Sequence, residues 1–218
     1  MALLEQSRST NVVGVPIAEL ALTSALERWA PSLLPPGRGR SLMHLSEVEL
    51  GTGRPDGLLV VASKSGLLRR AEYGLRLPTL AHARVLEATA AGRRSGYSIS
   101  HERRLHRTLS EIGWITDSGR LRFLPRLVSR SLLIEAKIAD WRTGLCQLRR
   151  ARWAANSAAL LMPATTHHRV PRKMLDRNRI GMMVLGQRGI ETTTAPASTP
   201  TTLSAELWVS ELAIRSLL

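Results

Sequence analysis

Residues Arg130–Trp141, RSLLIEAKIADW, have the aliphatic content of a buried strand, yet Glu135 and Lys137 stand two positions apart in the middle of the run. Burying two ionised groups is costly unless something compensates them. Side chains alternate along a strand, so Leu133, Glu135 and Lys137 share one face while Leu132, Ile134, Ala136 and Ile138 share the other. The apolar set is expected to face the core, and the charged pair to project together at one place on a sheet.

Upstream, residues 16–34 place apolar side chains at helical spacing, and Pro31 with the following PPGRGR marks the end of that helix. Two strand-like runs follow in SLMHLSEVELGTGRPDGLLVVAS (41–63), separated by the turn signal Gly51-Thr52-Gly53, which predicts a β-hairpin. Asp56 lies immediately before the second run. With a four-residue turn, 50–53, Glu49 faces Arg54 and Glu47 faces Asp56, and two facing carboxylates call for a cation. With a three-residue turn Glu47 points to the other face. Downstream, residues 140–155 predict a helix, SAALLMPA a short strand, and RVPRKMLDRNRIGMMVLGQRG a helix and a strand. TTTAPASTPTT reads as low-complexity linker, and SAELWVSELAIRSLL as an amphipathic helix that docks on its own fold, on a second copy or on a partner.

From about Gly66 the pattern becomes helical and basic. LPTLAHARVLEATAAG predicts a helix stopped by Gly92, and SISHERRLHRTLSEIGWI another, started by a Ser cap and closed at Gly113. TDSGRLRFL reads as a small hairpin around Ser118-Gly119. This succession resembles a winged helix-turn-helix, which places a helix in the major groove of DNA. The room between Gly92 and Ile99 is short for the usual middle helix, and a plain helical insert is the alternative. Arg103, Arg104 and Arg107 are the expected nucleic-acid contacts. His101 and His106 are five apart and do not share a helix face well, so they are expected to face DNA or solvent rather than a metal.

Pro55-Asp56 on one strand and Glu135-Ala136-Lys137 on a later one resemble the motif of the PD-(D/E)XK nuclease superfamily, the restriction-endonuclease-like fold. The order helix, strand, PD strand, E-x-K strand, helix, strand agrees. Gln147, ten positions after Lys137, is similar to a glutamine carried by some branches, although Ala151 stands where a tyrosine often follows. The 79 positions between Asp56 and Glu135 hold the basic insert. The resemblance implies an α/β fold, a mixed sheet flanked by helices, with residues 1–65 and 127–190 as a discontinuous core. Residues 66–126 are then the winged-helix-like insert, 191–202 a linker and 203–218 a C-terminal helix.

It also implies metal-dependent DNA endonuclease activity. Asp56 and Glu135 are hard oxygen ligands for Mg²⁺ or Mn²⁺, joined by the Ala136 carbonyl and, in the four-residue register, by Glu47. Lys137 would hold or polarise the attacking water, beside Gln147. Only 3 of the 31 basic residues are Lys, and a lysine amine, unlike a guanidinium, can be tuned by its surroundings. The alternative is an ordinary surface pair, with Asp56 as a turn residue.

The balance of 31 Lys plus Arg against 17 Asp plus Glu, a formal charge of +14, favours polyanionic partners. DNA is the expected partner and RNA stays open. Arg149 and Arg150, on the helix after the E-x-K strand, are expected to reach the substrate backbone, with a solvated face as the other reading. His167-His168 read as part of a phosphate-contacting basic loop. Cutting both strands of a duplex usually takes two sites, which is the ground for a homodimer. A single cysteine, Cys146, excludes an internal disulfide and a multi-cysteine zinc site, and fits a reducing cytoplasm. The N-terminus lacks the basic region of a signal peptide and no apolar run spans a membrane, so a cytoplasmic protein is expected. The rival from another class is a non-catalytic winged-helix DNA-binding regulator on a nuclease-like scaffold.

Overall fold

The computed structural model describes residues 19–122 and 126–218. The expected helix start at Pro16 and the end of the expected Ser118-Gly119 hairpin, residues 123–125, lie outside them. The elements run α1 (Glu19–Leu33), β1 (Ser41–Ser46), β2 (Gly57–Ala62), α2 (Lys64–Glu72), α3 (Leu80–Ala90), α4 (Ile99–Glu111), β3 (Val128–Ala136), α5 (Trp141–Ala151), β4 (Ser157–Pro163), α6 (Arg172–Asn178), β5 (Gly181–Gly186), β6 (Gly189–Thr194) and α7 (Leu203–Leu217). Helix α1 continues two residues past Pro31, because the Leu34 N–H still reaches the Ala30 carbonyl at 3.0 Å beyond the missing proline donor.

One six-stranded mixed sheet in the order β1-β2-β3-β4-β5-β6 organises the chain. The β1/β2, β2/β3 and β5/β6 pairs are antiparallel, and β3/β4 and β4/β5 are parallel. The two parallel neighbours are joined through α5 and α6, the crossover that parallel pairing requires. Both faces are covered. Helix α1 packs Leu22, Leu26 and Ala30 against Leu59, Val61, Leu132, Ile134 and Ala136. On the opposite face, Leu145 and Leu148 of α5 and Val209, Ala213 and Ile214 of α7 pack against Leu58, Val60, Leu133 and Leu160. This explains why GLLVVA in β2 is apolar at every position and buried throughout. It also corrects the reading of β3: there is no bare face for the charged pair, since Leu133 belongs to the second core and Glu135 is 1% exposed. The surface-pair alternative is thereby overturned.

The β1/β2 register, Ser46 opposite Gly57, is the one set by the four-residue turn, but pairing stops there. Residues 47–56 form a long connection that turns away at Glu47 (φ 49°) and buries Leu50 in the core.

Residues 64–122 build their own small core, in which Leu77, Val85, Leu86, Leu105 and Leu109 surround the fully buried Trp114. Ser63 caps α2 and Ser98 caps α4, each hydroxyl accepting a backbone N–H of the first turn. A single antiparallel bridge, Ile115 to Leu121, closes the turn after α4. Helix α7 contributes Leu207 to this core while its opposite residues enter the main one, so it docks in cis and ties the two together. Glu211, wholly buried on α7, receives Arg70 Nη2 at 2.9 Å, Arg76 Nε at 2.7 Å, Arg215 Nε at 3.3 Å and the Leu77 N–H at 2.9 Å. Burial beside this carboxylate still leaves the Arg70 guanidinium, stacked 4.9 Å over Trp114, with a pKa lowered to about 10.

The expected linker is differently built. Thr192–Thr194 belong to the edge strand β6, and the following segment is pinned: the Thr199 N–H donates to the Asn156 carbonyl at 2.8 Å and Arg152 to the Ala197 carbonyl at 2.9 Å. Among the described residues no helix is long and apolar enough to cross a membrane.

Candidate active site

The site forms where β2 begins and β3 ends. Asp56, one residue before β2, is held by its own acceptor: Oδ2 takes the Ala136 N–H at 2.7 Å. The N–H and carbonyl of one strand residue point to the same edge, so the Ala136 carbonyl faces Asp56 too. On the other edge the Lys137 N–H donates to the Leu161 carbonyl of β4 at 2.9 Å, which fixes the end of β3.

Glu135 and Lys137 share the face covered by α5, as alternation dictates. Lys137 Nζ lies 2.8 Å from Glu135 Oε1 and 3.9 Å from Asp56 Oδ2. The two distances together bound the separation of those carboxylate oxygens at about 6.7 Å. The side chains grade from inside to outside, Glu135 at 1%, Lys137 at 13% and Asp56 at 28% exposed, so one end of the cluster meets solvent. Burial pushes the Glu135 carboxyl up to about 7, with Asp56 adding to the rise and Lys137 opposing it. Its second oxygen, Oε2, is buried with no hydrogen-bond partner.

Helix α5 reaches the site only because position 144 is glycine: a Cβ there would stand 2.7 Å from Leu160 Cδ1 and 2.9 Å from Lys137 Cγ. Asp140 caps α5, accepting the Thr143 N–H, which together with the charge of Lys137 holds its carboxyl below the usual range. Gln147 lies three residues after Gly144 on α5, half-buried, with Oε1 buried and unpartnered. The loop after β4 also comes here, since the Thr166 hydroxyl donates to the Ile138 carbonyl and His167 Nδ1 sits 2.9 Å from the Ala164 carbonyl.

Not every expected residue joins. Glu47 is exposed and lies 4.0 Å from Arg54, and among the described residues no group of three or more His, Cys, Asp or Glu could hold a metal ion. Asp56 and Glu135 are the expected carboxylates that the structure brings to the Lys137 ammonium. Arg149 and Arg150 occupy the last turn of α5, roughly 13 Å along the helix from its capped start at the site. Arg103, Arg104 and Arg107 are exposed on α4, whose Leu105 and Leu109 face inward. His101 stacks on Tyr97, with ring centroids 5.1 Å apart. The sequence reading missed Gly144, although a lone glycine inside a helical pattern is itself a signal of close packing.

No protein-family model, no curated protein and no solved structure matches the chain.

Proposed function

We propose that the chain is a metal-dependent DNA endonuclease of PD-(D/E)XK type. The observation that carries this reading is the convergence of Asp56, Glu135 and Lys137: two carboxylates separated by 79 positions meet one ammonium at the open end of a strand pair. The order α1-β1-β2-β3-α5-β4 is the one the resemblance implies, and it supports the restriction-endonuclease-like assignment of the core.

The donor set suits a hard divalent cation. Glu135 has one buried oxygen without a donor, Asp56 faces solvent, and the Ala136 carbonyl shares their edge. Asp56, Glu135 and Ala136 would hold Mg²⁺ or Mn²⁺, which when bound polarises the phosphate and acidifies a water. The Ala136 N–H orients the Asp56 carboxylate from behind. Lys137 stabilises the ionised form of Glu135 against burial, and its ammonium would polarise a water or a phosphate oxygen brought beside that pair. Gln147 would accept a hydrogen bond from that water at Oε1, and Gly144 lets α5 pack closely on Lys137. The products are a 3′ and a 5′ end, one carrying the phosphate.

The insert supplies DNA contacts in this reading. Three helices followed by a bridged turn, with Arg103, Arg104 and Arg107 outward on α4, support a winged-helix-like arrangement. The same exposed arginines favour the second reading, a non-catalytic DNA-binding regulator. Purified protein is to be incubated with plasmid, single-stranded and branched DNA and with RNA, each with Mg²⁺, with Mn²⁺ and with EDTA. Metal-dependent cutting supports the nuclease; binding without cutting of any substrate favours the regulator.

A further inference from the structure

A second cleft, about 420 Å³, opens between the insert and the C-terminal helix, away from the carboxylates. Arg84 of α3, Arg93 and Arg94 of the α3–α4 connection, and Trp153 in the 3₁₀ turn after α5 line it, with Ser95 and Thr202 adding hydroxyl groups. The volume is within the range of small-molecule sites. All three arginines are exposed. The carboxylate in the wall, Glu87, is already engaged: Oε2 accepts the Ser204 hydroxyl at 2.8 Å and Oε1 lies 3.9 Å from Arg93 Nη2. The cleft therefore keeps an excess of positive charge. Trp153 packs against the main core on one side, and its indole N–H is spent on the Thr52 hydroxyl at 2.9 Å, so what it offers the cleft is ring surface.

Guanidiniums beside a half-buried indole face are the chemistry of a nucleotide: phosphate on the arginines, base on the ring. We infer that this cleft binds one nucleotide of a single DNA strand. Thr52, which anchors Trp153, is four residues before Asp56, a chain length of at most roughly 14 Å. The cleft is thus tied to the connection that carries Asp56, at a separation that one short strand could span. The assignment of DNA as ligand rests on the nuclease reading; the binding itself is measurable without catalysis.

The test is fluorescence anisotropy of a labelled ten-nucleotide oligothymidylate, and of a ten-unit abasic strand, in EDTA. Arg93→Ala with Arg94→Ala is expected to weaken both strands and to lower the slope of log affinity on log salt by about 0.7 per arginine removed. Trp153→Ala is expected to weaken oligothymidylate about tenfold and leave the abasic strand unchanged, while Trp153→Phe keeps most of the affinity. Arg28→Ala with Arg188→Ala, an equal loss of charge at positions outside the cleft, is the control. If the cleft variants bind both strands as the control does, the inference is overturned, even where the wild type cuts DNA. If they lose binding while the wild type cuts nothing, the cleft stands and the nuclease reading falls.

Discussion

The Oδ2 of Asp56 accepts the backbone N–H of Ala136 at 2.7 Å, across 80 positions of chain. The bond does two things at once: it satisfies a strand donor where β2 has not yet begun, and it fixes the carboxylate beside Glu135 and Lys137. These roles separate by substitution. Asp56→Asn keeps an oxygen acceptor and loses the charge, so its stability is expected to stay near wild type while metal-dependent cleavage falls by two or more orders of magnitude. Asp56→Ala orphans the Ala136 donor and is expected to cost about 1–3 kcal/mol in urea unfolding.

Glu135 has a folded-state pKa of about 7 against an ordinary 4.5, because burial disfavours its charge. Between those values the folded chain holds a proton that the unfolded chain releases. Stability from this group is therefore fully present below about 4.5 and is lost as pH rises toward 7. The span corresponds to about 3 kcal/mol. Thermal melts in EDTA are expected to show Glu135→Gln with a shallower fall from pH 5 to 8 than wild type, the variant being relatively more stable at pH 8. Parallel pH profiles for the two proteins would contradict the cause given.

Glu211 is the shared counter-ion of Arg70, Arg76 and Arg215 at the junction of insert, helix α7 and main core, and Arg70 is the one of the three that is buried. Glu211→Ala leaves buried guanidinium charge without its counter-ion and is expected to cost about 3–5 kcal/mol. Limited proteolysis should then cut within residues 64–122 before the sheet, since α7 is the element that couples them.

Gly144→Ala puts a methyl group where Leu160 Cδ1 and Lys137 Cγ already stand. Overpacking of this kind costs about 1–3 kcal/mol. Adding Leu160→Ala is expected to recover part of the stability, and denaturant curves of the single and double variants measure that coupling.

Much of the layout was legible in the sequence. The apolar runs after Asp56, within 130–141, in SAALLMPA and in GMMVLG became strands, the second of them ending at Ala136; alternation put Glu135 and Lys137 on one face, and the resemblance implied the Asp56 that lies beside them. Four features were not legible, each for a physical reason. Alternation in β3 predicts a core face and a charged face only when one face is bare, and here α5 and α7 cover the second, burying Glu135. Thr192–Thr194 have strand propensity, but their neighbours in TTTAPASTPTT have a linker's composition, and edge pairing to β5 decided the matter. The β1/β2 register continued by one pair would set Glu47 opposite Asp56, yet pairing stops at Ser46 and Gly57, and a left-handed backbone turn at Glu47 swings it to Arg54. The Glu211 cluster joins residues more than 130 positions apart, which local pattern cannot reveal.

The central claim is that Asp56, Glu135 and Lys137 act as one hydrolytic unit. The most direct measurement is a double-mutant cycle on single-turnover DNA cleavage in Mn²⁺, using Glu135→Ala, Lys137→Ala and the pair together. Residues that work as a unit give losses that do not add. Each single variant is expected to cut at least about 100-fold more slowly than wild type, and the double variant about as slowly as either one. Cleavage by either single variant at the wild-type rate would contradict the assignment.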